Sequence, residues 1–145
     1  ADLKATIAWA RATAKVPVWL VGTSRGTQSA AYAATVLQGA DAPDGVVLTA
    51  SILSDDKQRP VPAMPLEQIK VPVLVVHHQQ DGCSYCAYSE IPNLMAKLTH
   101  TPRSHLITAT GGKNQGDACA AFAHHGFNGL EADVVGQMAD WILAP

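Results

Sequence analysis

The sequence lacks the marks of several common protein classes. No apolar run approaches the ~20 residues that cross a bilayer, so no membrane span is predicted. It has no basic block and a formal net charge of only −2, which argues against a nucleic-acid partner. Internal repeats and low-complexity tracts are absent as well. With 48% hydrophobic and 15% charged residues, the composition instead indicates a globular protein with a substantial core.

The sequence starts at Ala1 without a methionine, and its first residues already have helical spacing, so we expect no signal peptide in it. We therefore expect a processed or partial product. A length of 145 residues is typical of one domain, so we expect a single domain over residues 1–145.

Four apolar runs alternate with segments of helical spacing. The runs predict strands at Val16–Val21, Val46–Thr49, Val71–Val76 and, more weakly, His105–Thr108. The helical spacing predicts helices over 2–14, 24–37 and 91–98 and a last amphipathic helix near the end of the chain. Strands that alternate with helices pair in parallel through right-handed crossovers. The predicted fold is therefore α/β, a mostly parallel sheet with helices on both faces.

The first of these strands is nearly all apolar, which is typical of a strand buried on both faces. Such a strand needs neighbours on both sides, and the sequence before Val16 predicts only a helix. We therefore expect the early strands of the sheet to be absent from this chain. An upstream segment or a second chain would then complete the sheet.

Between the first strand and the second helix lies Gly22-Thr23-Ser24-Arg25-Gly26, which has the form G-x-S-x-G. In a strand–turn–helix context this motif pushes the serine hydroxyl out of the backbone, and terminal glycines let the neighbouring elements approach closely. The positive N-terminal end of the helix faces the serine. Taken alone, the pentapeptide fits equally well a glycine-rich turn with an ordinary capping serine.

A nucleophilic serine needs a base to accept its proton and a carboxylate to orient that base. Histidine suits the first role because its pKa is close to neutral pH. Such groups collect at the carboxyl ends of the strands in a parallel sheet. Asp81 follows the third predicted strand and His125 follows the fourth. The order Ser24, Asp81, His125 is that of one hydrolase architecture.

With these motifs the chain resembles the α/β-hydrolase superfamily, and within it the bacterial serine esterases. The likeness rests on Gly22–Gly26, on the strand 71–76 with His77 leading to Asp81, and on His125-Gly126-Phe127. It covers nearly the whole chain but matches only the carboxyl-terminal half of the family's fold.

The resemblance implies an enzyme that cleaves small-molecule carboxylic esters through an acyl-enzyme. Ser24 would be the nucleophile, Asp81 the acid and His125 the general base, and neither a cofactor nor a metal would take part. The same triad could serve a peptidase or another acyl hydrolase. A further alternative, from another class, is a non-catalytic binding fragment that keeps the serine turn.

The oxyanion hole is only partly accounted for. Acyl transfer needs about two hydrogen-bond donors aimed at the developing oxyanion. The backbone N–H of Arg25 can supply one. By the family likeness the second comes from a His-Gly-Gly-type loop after an early strand, and no such loop precedes residue 22.

The irregular segment Ser51–Leu66 could form part of a substrate pocket or a solvated crossover.

The acid and the base each have a competitor. Asp55 or Asp56, after the second strand, could act as the acid, although a turn-capping role suits them better. His124 could replace its neighbour as the base. His77 and His78 end a strand near the site, where we expect a pocket wall or a hydrogen-bonded structural role for both.

Two of the three cysteines flank the proposed acid and base. Cys83 follows Asp81 by two residues and Cys119 precedes His125 by six, and the resemblance is to esterases with cysteines at these places. A Cys83–Cys119 disulfide would connect the acid loop to the histidine loop, with a loop closure worth on the order of 3–4 kcal/mol. It implies an oxidising compartment, either the periplasm or the exterior of the cell.

Cys86 would then remain as a free, packed thiol, and two alternatives stay open. Cys83 and Cys86 have the C-x-x-C form of a thioredoxin-like motif, but they lie in a loop rather than at the start of a helix. Cys83, Cys86 and Cys119 with a histidine could bind zinc, although the spacing lacks a second compact ligand pair.

Overall fold

The computed structural model describes residues 2–144 and contains one sheet of four strands. The strands are β1 (Trp19–Thr23), β2 (Gly45–Thr49), β3 (Val73–His78) and β4 (Ser104–Ala109). The α-helices are α1 (Asp2–Ala14), α2 (Arg25–Val36), α3 (Ile91–Ala96) and α4 (Glu131–Leu143). None of the helices between residues 2 and 144 is long and apolar enough to cross a membrane.

The strands lie side by side in the order β1-β2-β3-β4, and all three pairs are parallel. Thr23 lies opposite Thr49 in the register of the sheet, and Thr49 lies opposite Val76. The carboxyl ends of the first three strands therefore meet at one edge of the sheet, and the residues that follow them can share a site. The predicted α/β fold is confirmed.

Helices cover both faces of the sheet, because successive side chains of a strand point to opposite sides. On one face, Leu48 packs in a cluster with Ala31 of α2 and Leu94 of α3. On the other face, Val47 packs in a cluster with Val134 of α4. The small side chains of α2 let this helix lie close to the sheet and to the turn that precedes it.

Two strands begin later than their apolar runs predict. The runs start at Val16 and Val71, whereas β1 starts at Trp19 and β3 at Val73. Pro17 and Pro72 have no N–H to donate to a sheet, which delays regular pairing. The weakly predicted fourth strand, in contrast, pairs with β3 at all six of its positions.

β1 lies at an edge of the sheet, which corrects the expectation that it is buried on both faces. Within residues 2–144 it pairs only with β2, and the side chain of Val21 is 54% exposed. Trp19 has one face against α4, where its ring meets the ring of Trp141 at 5.9 Å between centroids. Residues 2–144 therefore bury only part of the apolar surface of β1.

The connection after β2 is less solvated than a simple crossover. Ile52, Val61 and Leu66 are buried, and the Val61 N–H donates a hydrogen bond to the Ile52 carbonyl at 2.9 Å. Only its middle part, residues 54–59, is largely exposed. That exposed part lies beside the turn that carries Ser24, because Asp55 pairs with Arg25.

Candidate active site

Ser24 occupies a sharp turn between β1 and α2. Its φ of 51° and ψ of −120° lie outside the regions that residues other than glycine prefer. Two backbone hydrogen bonds maintain the turn, from Ser24 N–H to the Thr49 carbonyl at 3.0 Å and from Thr27 N–H to the Ser24 carbonyl at 2.9 Å. The Ser24 side chain makes no capping hydrogen bond to α2. An ordinary capping serine is thereby excluded, and the half-buried hydroxyl remains available for chemistry.

Gly22 is needed because β1 and α2 approach each other very closely. A Cβ at Gly22 would lie 2.5 Å from the carbonyl oxygen of Gly26 and 2.9 Å from the Cβ of Ala30. No other residue fits there without moving the helix. A Cβ at Gly26 would meet nothing within 4 Å, so space does not explain the second glycine of the motif.

Asp81 and His125 form a buried acid–base pair at the carboxyl edge of the sheet. The Asp81 side chain is fully buried, and its Oδ2 accepts a hydrogen bond from His125 Nδ1 at 2.9 Å. Its other oxygen, Oδ1, accepts the Cys83 N–H at 2.9 Å. The carboxylate therefore fixes the orientation of the imidazole, as the acid of a catalytic triad does.

The turn that carries His125 depends on the glycine that follows it. His125 lies in a 3₁₀ turn, His124–Gly126, and Phe127 ends this turn with a φ of 57°. A Cβ at Gly126 would lie 2.1 Å from the Ala121 carbonyl oxygen. Only glycine therefore lets the histidine loop fold against its own preceding segment.

One contact of a complete triad is not formed. His125 Nε2 is buried and has no hydrogen-bond partner among the described residues, so Ser24 is not bonded to it. Because Nδ1–H is donated to Asp81, the lone pair of the neutral ring lies on Nε2. A nitrogen with a free lone pair is able to accept a proton.

The competing acids have other positions. Asp55 pairs with Arg25, and its Oδ1 accepts the N–H groups of Lys57 and Gln58. The Lys57 hydrogen bond and then the Arg25 contact lower the pKa of Asp55. Asp56 is exposed. Asp55 thus stabilises a turn, and neither Asp55 nor Asp56 forms a hydrogen bond or ion pair with a histidine within residues 2–144.

The other histidines near the site make structural contacts. His77 is fully buried, its Nε2–H donates to the Cys86 carbonyl at 2.7 Å, and burial lowers its pKa. His78 accepts the Gln80 N–H at Nδ1 and donates Nε2–H to the Gly111 carbonyl, both at 3.0 Å. His124 stacks on His78, with 4.2 Å between ring centroids. These contacts orient the rings of His77, His78 and His124, although the buried Nδ1 of His77 has no hydrogen-bond partner in the described part of the chain.

Three loops meet at Arg25, a contact that the sequence analysis missed. Its guanidinium pairs with Asp55 from the loop after β2 and lies 4.9 Å from the centre of the Tyr85 ring in the loop after β3. The Arg25 backbone opens α2, where the first N–H groups of a helix have no partner within it. In the sequence Arg25 is recognisable only as a member of the serine motif. No sequence spacing indicates that its side chain contacts Asp55 and Tyr85.

Cys83 and Cys119 form a disulfide across 36 residues, with their Cα atoms 4.6 Å apart. It connects the loop after Asp81 to the loop before His125. Cys86 is free and buried, and its thiol donates to the Ala50 carbonyl at 3.6 Å. Burial raises the pKa of this thiol to about 12, so it is protonated and unreactive at neutral pH.

Neither a family model nor a curated relative matches this sequence. Solved structures share its fold. One, reported for the metagenome-derived lipolytic enzymes LipS and LipT, has a TM-score of 0.64 at 13% identity over 95% of this chain and 69% of that one. An acetyl ester-xyloside bifunctional hydrolase from Caldicellulosiruptor lactoaceticus has a TM-score of 0.57 at 16% identity over 83% of this chain and 57% of that one.

A puromycin hydrolase is also similar, with a TM-score of 0.55 at 11% identity over 79% of this chain and 21% of that one. At these identities the likeness establishes a common α/β fold. The chain spans about two thirds of the lipolytic enzyme and little more than half of the bifunctional hydrolase.

Proposed function

We propose that this chain carries the catalytic triad of a serine hydrolase that cleaves carboxylic esters. The observation that carries the proposal is the Asp81–His125 hydrogen bond of 2.9 Å, formed at the carboxyl edge of the sheet, where the strained turn of Ser24 also lies. The fold shared with lipolytic and ester-cleaving enzymes supports the same conclusion.

The mechanism follows from the chemistry of these groups. His125 Nε2 takes the proton of the Ser24 hydroxyl while Oγ attacks the ester carbonyl. Asp81 keeps the proton on Nδ1 and stabilises the imidazolium. The backbone N–H of Arg25 donates to the oxyanion of the tetrahedral intermediate. The imidazolium then protonates the leaving alcohol, and a water activated by His125 hydrolyses the acyl-enzyme.

The second oxyanion donor is part of the proposal as well. We assign it to an upstream segment or a second chain that pairs with the free edge of β1. The exposure of Val21 supports this, and so does a hollow of about 270 Å³ between β1 and α4, lined mainly by apolar side chains such as Phe127 and Val135. Light scattering after size exclusion, combined with an activity assay of the eluted protein, tests the idea. A monomer of the 145 residues that is fully active by itself would contradict it.

Labelling with a fluorophosphonate tests the nucleophile. We expect stoichiometric modification of Ser24, located by peptide mass, and strongly slowed labelling in His125→Ala. Ser29→Ala, at an exposed position of α2, is the matched control and should be labelled as the parent is. Loss of one oxyanion donor costs about 3 kcal/mol, so slow turnover with complete labelling is expected of the chain by itself. A folded protein that is not labelled would favour a non-catalytic binding fragment.

Amide hydrolysis is the second candidate, supported by the shared fold of a puromycin hydrolase. The same triad could cleave either bond, because the acyl-enzyme is the same. Comparing kcat/KM for a p-nitrophenyl ester and for the matched p-nitroanilide decides between them. We expect activity on the ester, and a comparable rate on the anilide would favour a peptidase.

We also propose that the protein works in the periplasm or outside the cell. The Cys83–Cys119 disulfide supports this, because such bonds persist in oxidising compartments. Counting free thiols in protein isolated from its natural host tests the assignment. We expect one reactive thiol after denaturation without reductant, and three would contradict it.

A further inference from the structure

Two sulfur atoms lie close to a ring nitrogen of His125. The Sγ atoms of Cys83 and Cys86 and a ring nitrogen of His125 all lie within 4.8 Å of one another, and the three residues are buried. The Sγ atom of Cys119 is bonded to that of Cys83 at 2.03 Å, so a third sulfur adjoins this group of three. Three cysteines and one histidine are a ligand set that structural zinc sites use.

The backbone arranges these residues as two short ligand pairs. Cys83 and Cys86 close one turn, in which the Cys86 N–H donates to the Cys83 carbonyl at 2.9 Å. Cys119 and His125 are separated by five residues, within the spacing that zinc ligands commonly have. The fold brings His125 of this second pair next to the first pair, a proximity that the spacing along the chain did not reveal.

We propose that reduction of the Cys83–Cys119 disulfide creates a tetrahedral Zn²⁺ site formed by Cys83, Cys86, Cys119 and His125. The S–S bond breaks as a dithiol or a phosphine supplies two electrons, and each sulfur takes a proton from solvent. The reductant becomes a disulfide or, with one water, a phosphine oxide. Zn²⁺ then displaces the three thiol protons into solvent and bonds to three sulfurs and one nitrogen.

The dimensions of the cluster suit this ion. With Zn–S bonds of about 2.3 Å, a tetrahedral site keeps two sulfurs about 3.8 Å apart. The ligand atoms of Cys83, Cys86 and His125 already lie within 4.8 Å of one another, and the sulfurs of Cys83 and Cys119 must separate from the 2.03 Å of their bond to the distance of a tetrahedral site. Because Asp81 accepts the Nδ1–H of His125, Nε2 is the nitrogen left for zinc, and a carboxylate on the other nitrogen is the usual support of a zinc-bound histidine. Thiolate and imidazole ligands select zinc over magnesium or calcium.

The site has a consequence that rests on the proposed function. A zinc-bound His125 cannot accept the proton of Ser24, so the reduced, zinc-loaded protein is folded but inactive. Zinc also replaces the lost disulfide as the connection between the acid loop and the histidine loop. The same pair of loops is thus joined by a covalent bond in the oxidised protein and by a metal in the reduced one.

Cobalt, which reports thiolate ligation by its absorption, is the probe for the first test. The full chain is reduced with a phosphine under nitrogen, freed of reductant and titrated with Co²⁺. We expect one Co²⁺ per chain with thiolate-to-metal charge transfer and tetrahedral d–d bands, and displacement of Co²⁺ by Zn²⁺. The oxidised protein should show none of these bands. Ser24→Ala should bind as the parent does, which separates metal binding from the proposed esterase function.

Cys86→Ser is the decisive variant, because Cys86 takes no part in the disulfide. In the reduced state it should lose at least about 100-fold in Co²⁺ affinity. Equal affinity of Cys86→Ser and parent would overturn the proposal, as would the absence of thiolate-ligated Co²⁺ in the reduced parent. Circular dichroism follows folding throughout, and a reduced protein that is unfolded and does not refold with Zn²⁺ would also overturn it. In the active parent, zinc should abolish ester hydrolysis only after reduction, and a chelator should restore it.

Discussion

Asp81 and His125 are 44 positions apart in the sequence, yet their side chains share a 2.9 Å hydrogen bond in a buried environment. Two adjacent strands bring them together, because Asp81 follows β3 and the chain reaches His125 only after β4. The bond fixes which ring nitrogen carries the proton. It therefore leads directly to a prediction about the acid.

Asp81→Asn should lower kcat by about 10⁴-fold, because an amide cannot stabilise the imidazolium and favours the wrong tautomer. The variant should remain folded, since asparagine has nearly the same volume. Steady-state hydrolysis of a p-nitrophenyl ester measures the loss. Asp56→Asn, at an exposed position, is the control and should keep parental activity. Full activity in Asp81→Asn would show that another group is the acid.

Gly126→Ala should disrupt the histidine loop, because the new Cβ would lie 2.1 Å from the Ala121 carbonyl oxygen. We expect a large loss of fluorophosphonate labelling at Ser24, with His125 displaced from Asp81. Gly136→Ala is the matched control in α4, where a Cβ meets nothing within 4 Å. It should raise the free energy of unfolding by about 0.5–1 kcal/mol. Unchanged labelling in Gly126→Ala would show that the loop tolerates a shift.

The double variant Cys83→Ala/Cys119→Ala should lower the free energy of unfolding by about 2–4 kcal/mol. The disulfide closes a segment of 36 residues and restricts the unfolded chain. Urea denaturation measures the change. The same measurement on the parent in the presence of a phosphine, which reduces the disulfide, should give a similar loss. If the parent and the double variant unfold at the same urea concentration, the disulfide does not form in solution.

Asp44 should make stability depend on pH in the acid range. Its Oδ2 accepts the Val18 N–H at 2.6 Å and pairs with Arg11 at 2.7 Å. Burial alone would raise the pKa of Asp44, but these hydrogen bonds outweigh burial, and the pKa is lowered from 3.8. A lowered carboxyl pKa contributes stability that is complete above 3.8 and is lost as the pH falls through the folded-state value.

Asp44→Ala should therefore lower the free energy of unfolding at pH 7 and have a smaller effect at acid pH. The side chain is 40% exposed, so solvent screening limits the effect to about 1 kcal/mol. Urea unfolding of both proteins between pH 2 and pH 7 measures it. A parent–variant difference that does not change with pH would contradict the assignment.

Local patterns in the sequence predicted the elements and their parallel arrangement well. The apolar runs identified four strands, and the positions of Asp81 and His125 after β3 and β4 followed from strand order alone. Such local patterns could not predict the contacts between loops. The pairing of Arg25 with Asp55 joins two loops whose packing depends on the buried part of segment 51–66, and no local spacing records it.

The sequence was least informative about β1. An apolar strand indicates burial but cannot show which neighbour supplies it, so Val21 was expected to be covered and is exposed. The ligand cluster was hidden for a similar reason. Cys119 and His125 meet Cys83 and Cys86 only through tertiary folding, whereas sequence spacing detects ligands that are close along the chain.

One edge of β1 has no partner strand among residues 2–144, and this edge also governs how the chain behaves at high concentration. An edge strand offers unpaired N–H and C=O groups that another strand can bind, and apolar side chains beside them strengthen such contacts. Val21 lies on this edge. We therefore expect isolated copies of the chain to self-associate through β1 as their concentration rises, and we expect Val21→Lys to keep them apart.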